Sequence, residues 1–259
     1  MWILSQWIPA CAGMTTLVFC RLSMTTTLLA FDTATEHMSI ALSARGEVWV
    51  FEAAGGAQAS ASLIPSIMKL LAEAGVPLSA LDAIAFGRGP GAFTGLRTAC
   101  SVAQGLAFGA GKPVLPIDSL LAVAEDARTD AAPHRVWVTM DARMNEVYAA
   151  HYAFSGNQWQ ILVPPMLTSA AALNERWRAD EPNVVAGTAL GVFGEQLCAG
   201  RARLAPQALP RARAMLPLAQ RLWQQGGAVD AALALPAYVR DKVAQTMAER
   251  EAQRVASAA

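Results

Sequence analysis

The sequence predicts an α/β protein built twice on one plan, and three observations carry that reading. An apolar run closed by an aspartate opens each half, LLAFD at 28–32 and VWVTMD at 136–141. Two further strand-like segments follow each run. Each such meander then leads into alternating helical and strand-like stretches.

In the first half, Asp32 ends the opening strand, and after the polar turn 33–36 strands follow at 38–42 and 48–51 around a turn at 44–46. Leu63, Ile67, Leu70, Leu71 and Ala74 share one helical face; Gly75 ends that helix, and Pro65 stands near its start or kinks it. Next come a short buried strand at 83–86, a helix at 94–108 and a strand at 113–117. Asp118 or Ser119 caps a helix that reaches about residue 127. The second half is looser: strands at 136–141, 146–154 and 158–163, a helix capped by Thr168 or Ser169, a strand at 183–186, and helices near 191–198 and 212–225. The turns FDTATE (31–36) and MDARMNE (140–146) correspond. No low-complexity linker separates the halves, so a packed boundary is expected, with lobes at 24–127 and 128–245 and a flexible tail at 246–259.

Composition narrows the function. The chain has 259 residues, 54% of them hydrophobic, which suits a globular protein. Twenty basic side chains balance twenty acidic ones, so no global field attracts a polyanion; RNA contact needs a local patch or a partner. Cys11, Cys20, Cys100 and Cys198 form no CxxC pair, and His37, His134 and His151 have no zinc-ligand spacing. The expectation is a reduced, cytosolic protein holding no metal alone. Residues 1–23 are apolar but interrupted by Pro9 and Gly13 and lack a basic start, which fits neither a secretory signal nor a spanning helix. They read as a mis-assigned start or disordered extension before Met24, with an anchor as the alternative.

Asp32 and Asp141 each leave a strand at a tight turn. If the halves face one another, the two carboxylates converge on a cleft, as in a two-lobed phosphotransferase that holds a magnesium nucleotide. Alternatively they only brace their turns. Thr33-Ala34-Thr35 lacks the glycine that lets a backbone approach phosphate. The glycine-rich stretch FGRGPGAFTGLR (86–97) has Leu96 and Arg97 where a P-loop needs lysine, so it reads mainly as a turn that starts a helix. On that helix Thr94, Thr98, Ser101 and Gly105 form a narrow stripe of small side chains, flanked by Arg97 and Gln104. Ile64 and Met68 lie off the main apolar face of the preceding helix. Together they suggest a helix-on-helix interface with another chain, or helices covered on two sides within this one. Arg201, Arg203, Arg211 and Arg213 form a solvated loop or an RNA phosphate contact. No nucleophile stands beside a base in sequence, and Ser39, Ser60 and Ser101 lie in no G-x-S-x-G elbow.

The stretches LLAFDTATE (28–36), AFGRGPGAFTGLR (85–97), AQGLAFG (103–109), MDARMNEVY (140–148) and PAYVRDKVA (236–244) resemble the TsaB family. These are bacterial accessory subunits for threonylcarbamoyladenosine synthesis on tRNA, from the superfamily of acetate and sugar kinases, Hsp70 and actin. The resemblance implies a duplicated actin-like (ribonuclease H-like) two-lobe α/β fold, each lobe a mixed sheet with a three-stranded meander and flanking helices. It implies a cytoplasmic, non-catalytic subunit that activates the catalytic subunit TsaD together with the ATPase TsaE, for transfer of threonylcarbamoyl to the adenosine next to the anticodon. Alone, such a chain forms a homodimer through much the same surface and binds no cofactor; ATP or ADP would sit at the junction with TsaD. tRNA is met through the complex, and no membrane is involved. The implied interface comprises Ile64, Met68, Thr94, Arg97, Thr98, Ser101 and Gly105, and a vestigial or shared nucleotide site falls at Asp32, Thr33, Arg88 and Asp141. An independent ATPase or a glycoprotease-type peptidase is the alternative. The chain departs from its relatives in lacking the catalytic subunit's histidine pair, a dense glycine run at 186–194, and a histidine at 57–62.

Overall fold

The computed structural model describes residues 26–240 together with a two-residue strand, β1 (Thr16–Leu17). The rest of the expected extension at 1–23 and the tail at 246–259 lie outside the described residues. In the first half, β2 (Leu28–Asp32), β3 (His37–Ala44) and β4 (Glu47–Ala54) form an antiparallel meander. The β3–β4 turn is the pair Arg45 (φ 53°) and Gly46 (φ 78°), the doubly left-handed turn whose twist matches a hairpin. The second meander uses the same device. β7 (His134–Asp141) pairs with β8 (Val147–Ser155), and Gly156 (φ 56°) and Asn157 (φ 60°) turn the chain into β9 (Gln158–Thr168).

Each meander is extended on its first strand by parallel strands. α1 (Ala59–Glu73) leads to β5 (Ala83–Gly89), which lies parallel to β2; α2 (Phe93–Ala110) leads to β6 (Val114–Asp118), which lies parallel to β5. α3 (Ser119–Asp126) then crosses to the second half, with Asp118 capping it through the Leu120 and Leu121 amides. There α4 (Ala170–Ala179), β10 (Val184–Ala186), α5 (Ala189–Phe193) and β11 (Arg203–Ala205) repeat the pattern before α6 (Ala212–Gln224). The strand orders are β1-β4-β3-β2-β5-β6 and β11-β10-β7-β8-β9. No described helix is long and apolar enough to cross a membrane.

Three local readings need correction. The helix expected at 191–198 ends at Phe193, because Gly194 turns left-handed (φ 50°) and only a single 3-10 turn follows. Strand β11 falls within the arginine-rich stretch, which reads as a loop because Arg203 and Leu204 are exposed on an edge strand. Pro65 stands inside α1, which begins at Ala59. The carbonyl that this proline leaves without an amide donor belongs to the exposed Ala61.

Packing does not follow the sequence halves. α1 and α2 cover one face of the first sheet, with Leu63, Ile67, Ala99 and Ala103 against Phe31, Ile40 and Phe86. Its other face is covered by α6, whose Met215, Leu216 and Ala219 meet Leu28, Ala30 and Ala85. α3 instead packs Leu120, Val123 and Ala124 onto Val136, Val138 and Tyr152 of the second sheet. α4 and α5 close the far side around Trp137, Trp177 and Phe193. Each half thus lends a helix to the other's sheet. The start of α6 is pinned accordingly, with the Ala212 amide donating to the Ser39 hydroxyl of β3 (2.9 Å) and Arg211 bridging Glu52 and Asp126.

Candidate functional site

The turn after β2 is locked from below. Asp32 is 1% exposed; its Oδ1 accepts the Ala34 amide and its Oδ2 the Ser119 hydroxyl, both at 2.7 Å. Ser119 in turn accepts the Gly89 amide (3.2 Å). Thr33 is fully buried and donates its hydroxyl to the Gly95 carbonyl (2.7 Å), while the Ala92 amide donates to the Ala34 carbonyl (2.7 Å). Three glycines of the loop lie directly on this turn. A Cβ at Gly87 would fall 1.7 Å from Asp32 Oδ2, at Gly91 2.6 Å from the Ala34 carbonyl, and at Gly95 1.9 Å from the Thr33 carbonyl. The glycine spacing therefore serves backbone contact within the chain. Burial pushes the Asp32 carboxyl up to about 6, against the opposing pull of the Ala34 amide, Ser119 and His37.

The second turn is built differently. Arg143, Met144 and Asn145 all adopt left-handed backbone, and Asp141 Oδ1 accepts the Arg143 amide (2.9 Å) while its other oxygen lies 3.3 Å from the Arg143 guanidinium. Arg143 also reaches Glu36 on the opposite turn (2.9 Å). Between the turns lies a cleft of about 620 Å³ lined by Thr35, Asp141, Tyr148, Thr188 and apolar Met140 and Val192. Residues 236–240 strap its rim. The Ala237 amide donates to the Arg88 carbonyl (2.7 Å), Tyr238 packs on Phe93, and Arg240 holds the Ala142 carbonyl (2.9 Å) and Glu146 (2.6 Å).

The four residues expected at one nucleotide site are therefore not together. Asp32 and Thr33 are buried under the first turn, Asp141 lines the cleft with its charge met by Arg143, and the Arg88 side chain lines a separate pocket. Among the described residues no group of three His, Cys, Asp or Glu side chains is placed to hold a metal ion.

The other expected site lies on the helix pair. Ile64 (45% exposed) and Met68 (47%) stand out from α1; Thr94, Ser101 and Gly105 are exposed along α2, and Thr98 is half-buried with its hydroxyl on the Thr94 carbonyl (3.0 Å). A Cβ on Gly105 would meet nothing within 4 Å. Sequence reasoning missed Phe108, 86% exposed at the end of the same stripe; the spacing 94, 98, 101, 105, 108 held that signal. Arg97 and Gln104 are engaged by the chain itself. The Arg97 guanidinium lies 3.8 Å over the Phe93 ring and donates to the Tyr238 hydroxyl, and Gln104 donates to the Ala234 carbonyl (3.0 Å). Of the arginine group, Arg211 is half-buried and ion-paired, while Arg201, Arg203 and Arg213 are exposed, Arg203 also donating to the Ala127 carbonyl (3.1 Å).

The profile of the family described as "TsaD: tRNA N6-adenosine threonylcarbamoyltransferase" matches residues 55–247. The "tRNA threonylcarbamoyladenosine biosynthesis protein TsaB" of Haemophilus influenzae is 37% identical over 227 residues, covering 84% of this chain and 94% of that protein. The chain belongs to the TsaB family. The Escherichia coli TsaB is 33% identical over 225 residues, with 84% and 96% covered. The solved structure of "YeaZ from Pseudomonas aeruginosa" superposes on this TsaB-family chain with a TM-score of 0.75 at 39% identity, over 82% of this chain and 99% of that one. The two mixed sheets with their flanking helices are the duplicated actin-like α/β fold that the resemblance implies.

Two outcomes are expected. Gly95→Ala must displace the Thr33 carbonyl and should lower stability to urea by about 3 kcal/mol or more, whereas Gly105→Ala, in open helix, should raise it by about 0.5 to 1 kcal/mol. Equal effects would remove the seating role of Gly95. Because folding raises the Asp32 pKa, the folded state binds that proton more tightly; its contribution is greatest below about pH 4 and is lost as pH rises through about 6. Relative to the wild type, Asp32→Asn should gain up to about 3 kcal/mol between about pH 4 and pH 7 in urea titrations. Parallel pH profiles would show that Asp32 is not the group responsible.

Proposed function

We propose that this chain is a non-catalytic subunit in the biosynthesis of tRNA threonylcarbamoyladenosine, docking on TsaD and activating it together with TsaE. The relatives' names and the matching TsaD profile support the process. One observation carries the mode of action: α1 and α2 leave Ile64, Met68 and Phe108 in water around a stripe of small residues. Each such side chain favours burial by roughly 1 to 2 kcal/mol when covered, and Thr94, Ser101 and Gly105 let another helix approach closely. In the absence of TsaD a second copy would occupy the same face. The zero net charge fits a chain that meets tRNA through the complex in the cytoplasm. Among the described residues Asp32 is buried away from the cleft and Asp141 is paired with Arg143, an arrangement that favours ATP or ADP at the TsaD junction over an independent ATPase.

The test is co-purification with TsaD and reconstituted tRNA modification with TsaD and TsaE. Ser101→Arg should weaken capture by TsaD more than about tenfold, some 1.4 kcal/mol, and reduce modification in step while the isolated chain stays folded. Asp141→Asn should leave modification within about twofold, where an ATPase centred on the cleft predicts its loss. Undiminished complex formation by Ser101→Arg would end the proposal.

A further inference from the structure

A second pocket, of about 250 Å³, shares no lining residue with the cleft or with the exposed helix pair. It lies where β5 and β6 end beside β8, β9 and α6. The space equals that of about eight water molecules, enough for a ligand of six to ten heavy atoms. Ile117 and Leu121 on one side and Leu218 and Leu222 on the other give it apolar walls, with the Trp159 ring at its edge.

Its polar groups are incompletely matched. Arg88 and Asp118 are close enough for their charges to couple, yet they form no ion pair, and the exposed Arg88 has no hydrogen-bond partner for its side chain among the described residues. Asp118 spends only Oδ1 on the α3 amides, at 2.8 and 3.3 Å from Leu120 and Leu121. The Tyr152 hydroxyl is fully buried and directed at the same carboxyl, with no other partner among the described residues. Arg221, the other cation in the wall, is already paired with Glu125 (3.4 Å). A ligand of single charge would satisfy one of the opposed groups and be repelled by the other; a dipolar one satisfies both.

We propose that this pocket binds a small free α-amino acid as its zwitterion, with Asp118 taking the ammonium group, Arg88 taking the carboxylate, and a short side chain against Ile117, Leu218 and Leu222. Burial holds the Asp118 carboxyl up to about 6, so at neutral pH it is ionised and gains from a bound cation. The inference is independent of TsaD docking, because none of these residues belongs to the α1–α2 face.

Titration calorimetry of the full chain with glycine, alanine, serine, threonine and valine tests it, together with N-acetylalanine and alanine methyl ester. At least one free amino acid should bind with a Kd at or below about 1 mM. Blocking either end should weaken binding by about tenfold or more, as should Arg88→Met and Asp118→Asn, each with an unchanged melting curve. Asn keeps the α3 cap, so loss of binding in Asp118→Asn cannot be laid to unfolding. No heat from any of the five at about 10 mM, or binding that survives both substitutions, would overturn the proposal and leave the pocket to water.

Discussion

The seating of one turn on one loop governs the rest of this molecule. Asp32, Thr33 and Ala34 are held against Gly87, Gly91 and Gly95 at distances that exclude any side chain, and Ser119 ties the start of α3 to the same carboxylate. The arrangement joins three segments well separated in sequence, β2, the β5–α2 loop and α3, around one buried group. It therefore fixes where α2 begins and which way it points. A carboxylate used in this way is removed from solvent and from ligand chemistry, and its raised pKa records the penalty of that removal.

From this anchor follows a division of labour between surfaces. The inner layer of α3 and α6, each packed on the other half's sheet, makes the lobes interdependent rather than hinged on a linker. The strap at 236–240 and the Glu36–Arg143 contact tie the cleft's two rims together. The outer layer is different. α1 and α2 are anchored by their inner faces and, for α2, by residues 234–238, and Ile64, Met68 and Phe108 stay exposed among the described residues.

Much of the fold was legible because secondary structure depends on neighbours in sequence. Periodicity placed the meanders and the helices to within a few residues, and the exposed stripe on α2 follows from helical spacing once the helix is recognised. The family resemblance was carried by the same short stretches. The candidate sites were less legible. Nothing adjacent to Asp32 announces that Gly87 and Ser119 will enclose it, and nothing adjacent to Arg97 or Gln104 announces that residues 234–238 will take them.

By itself, the sequence determined the order and type of most elements, the doubling of the plan and the family, though not the edge strand β11. Only the tertiary structure decided that α3 and α6 trade sheets, that Asp32 is a brace while Asp141 faces a cleft, and that Arg88 looks into a different pocket. The reason lies in the range of the interactions. Helix and strand patterns arise over three or four residues, whereas Thr33 meets Gly95 across 62 positions and Gln104 meets Ala234 across 130; contacts of that span are chosen by the packing of whole layers, which no local pattern encodes.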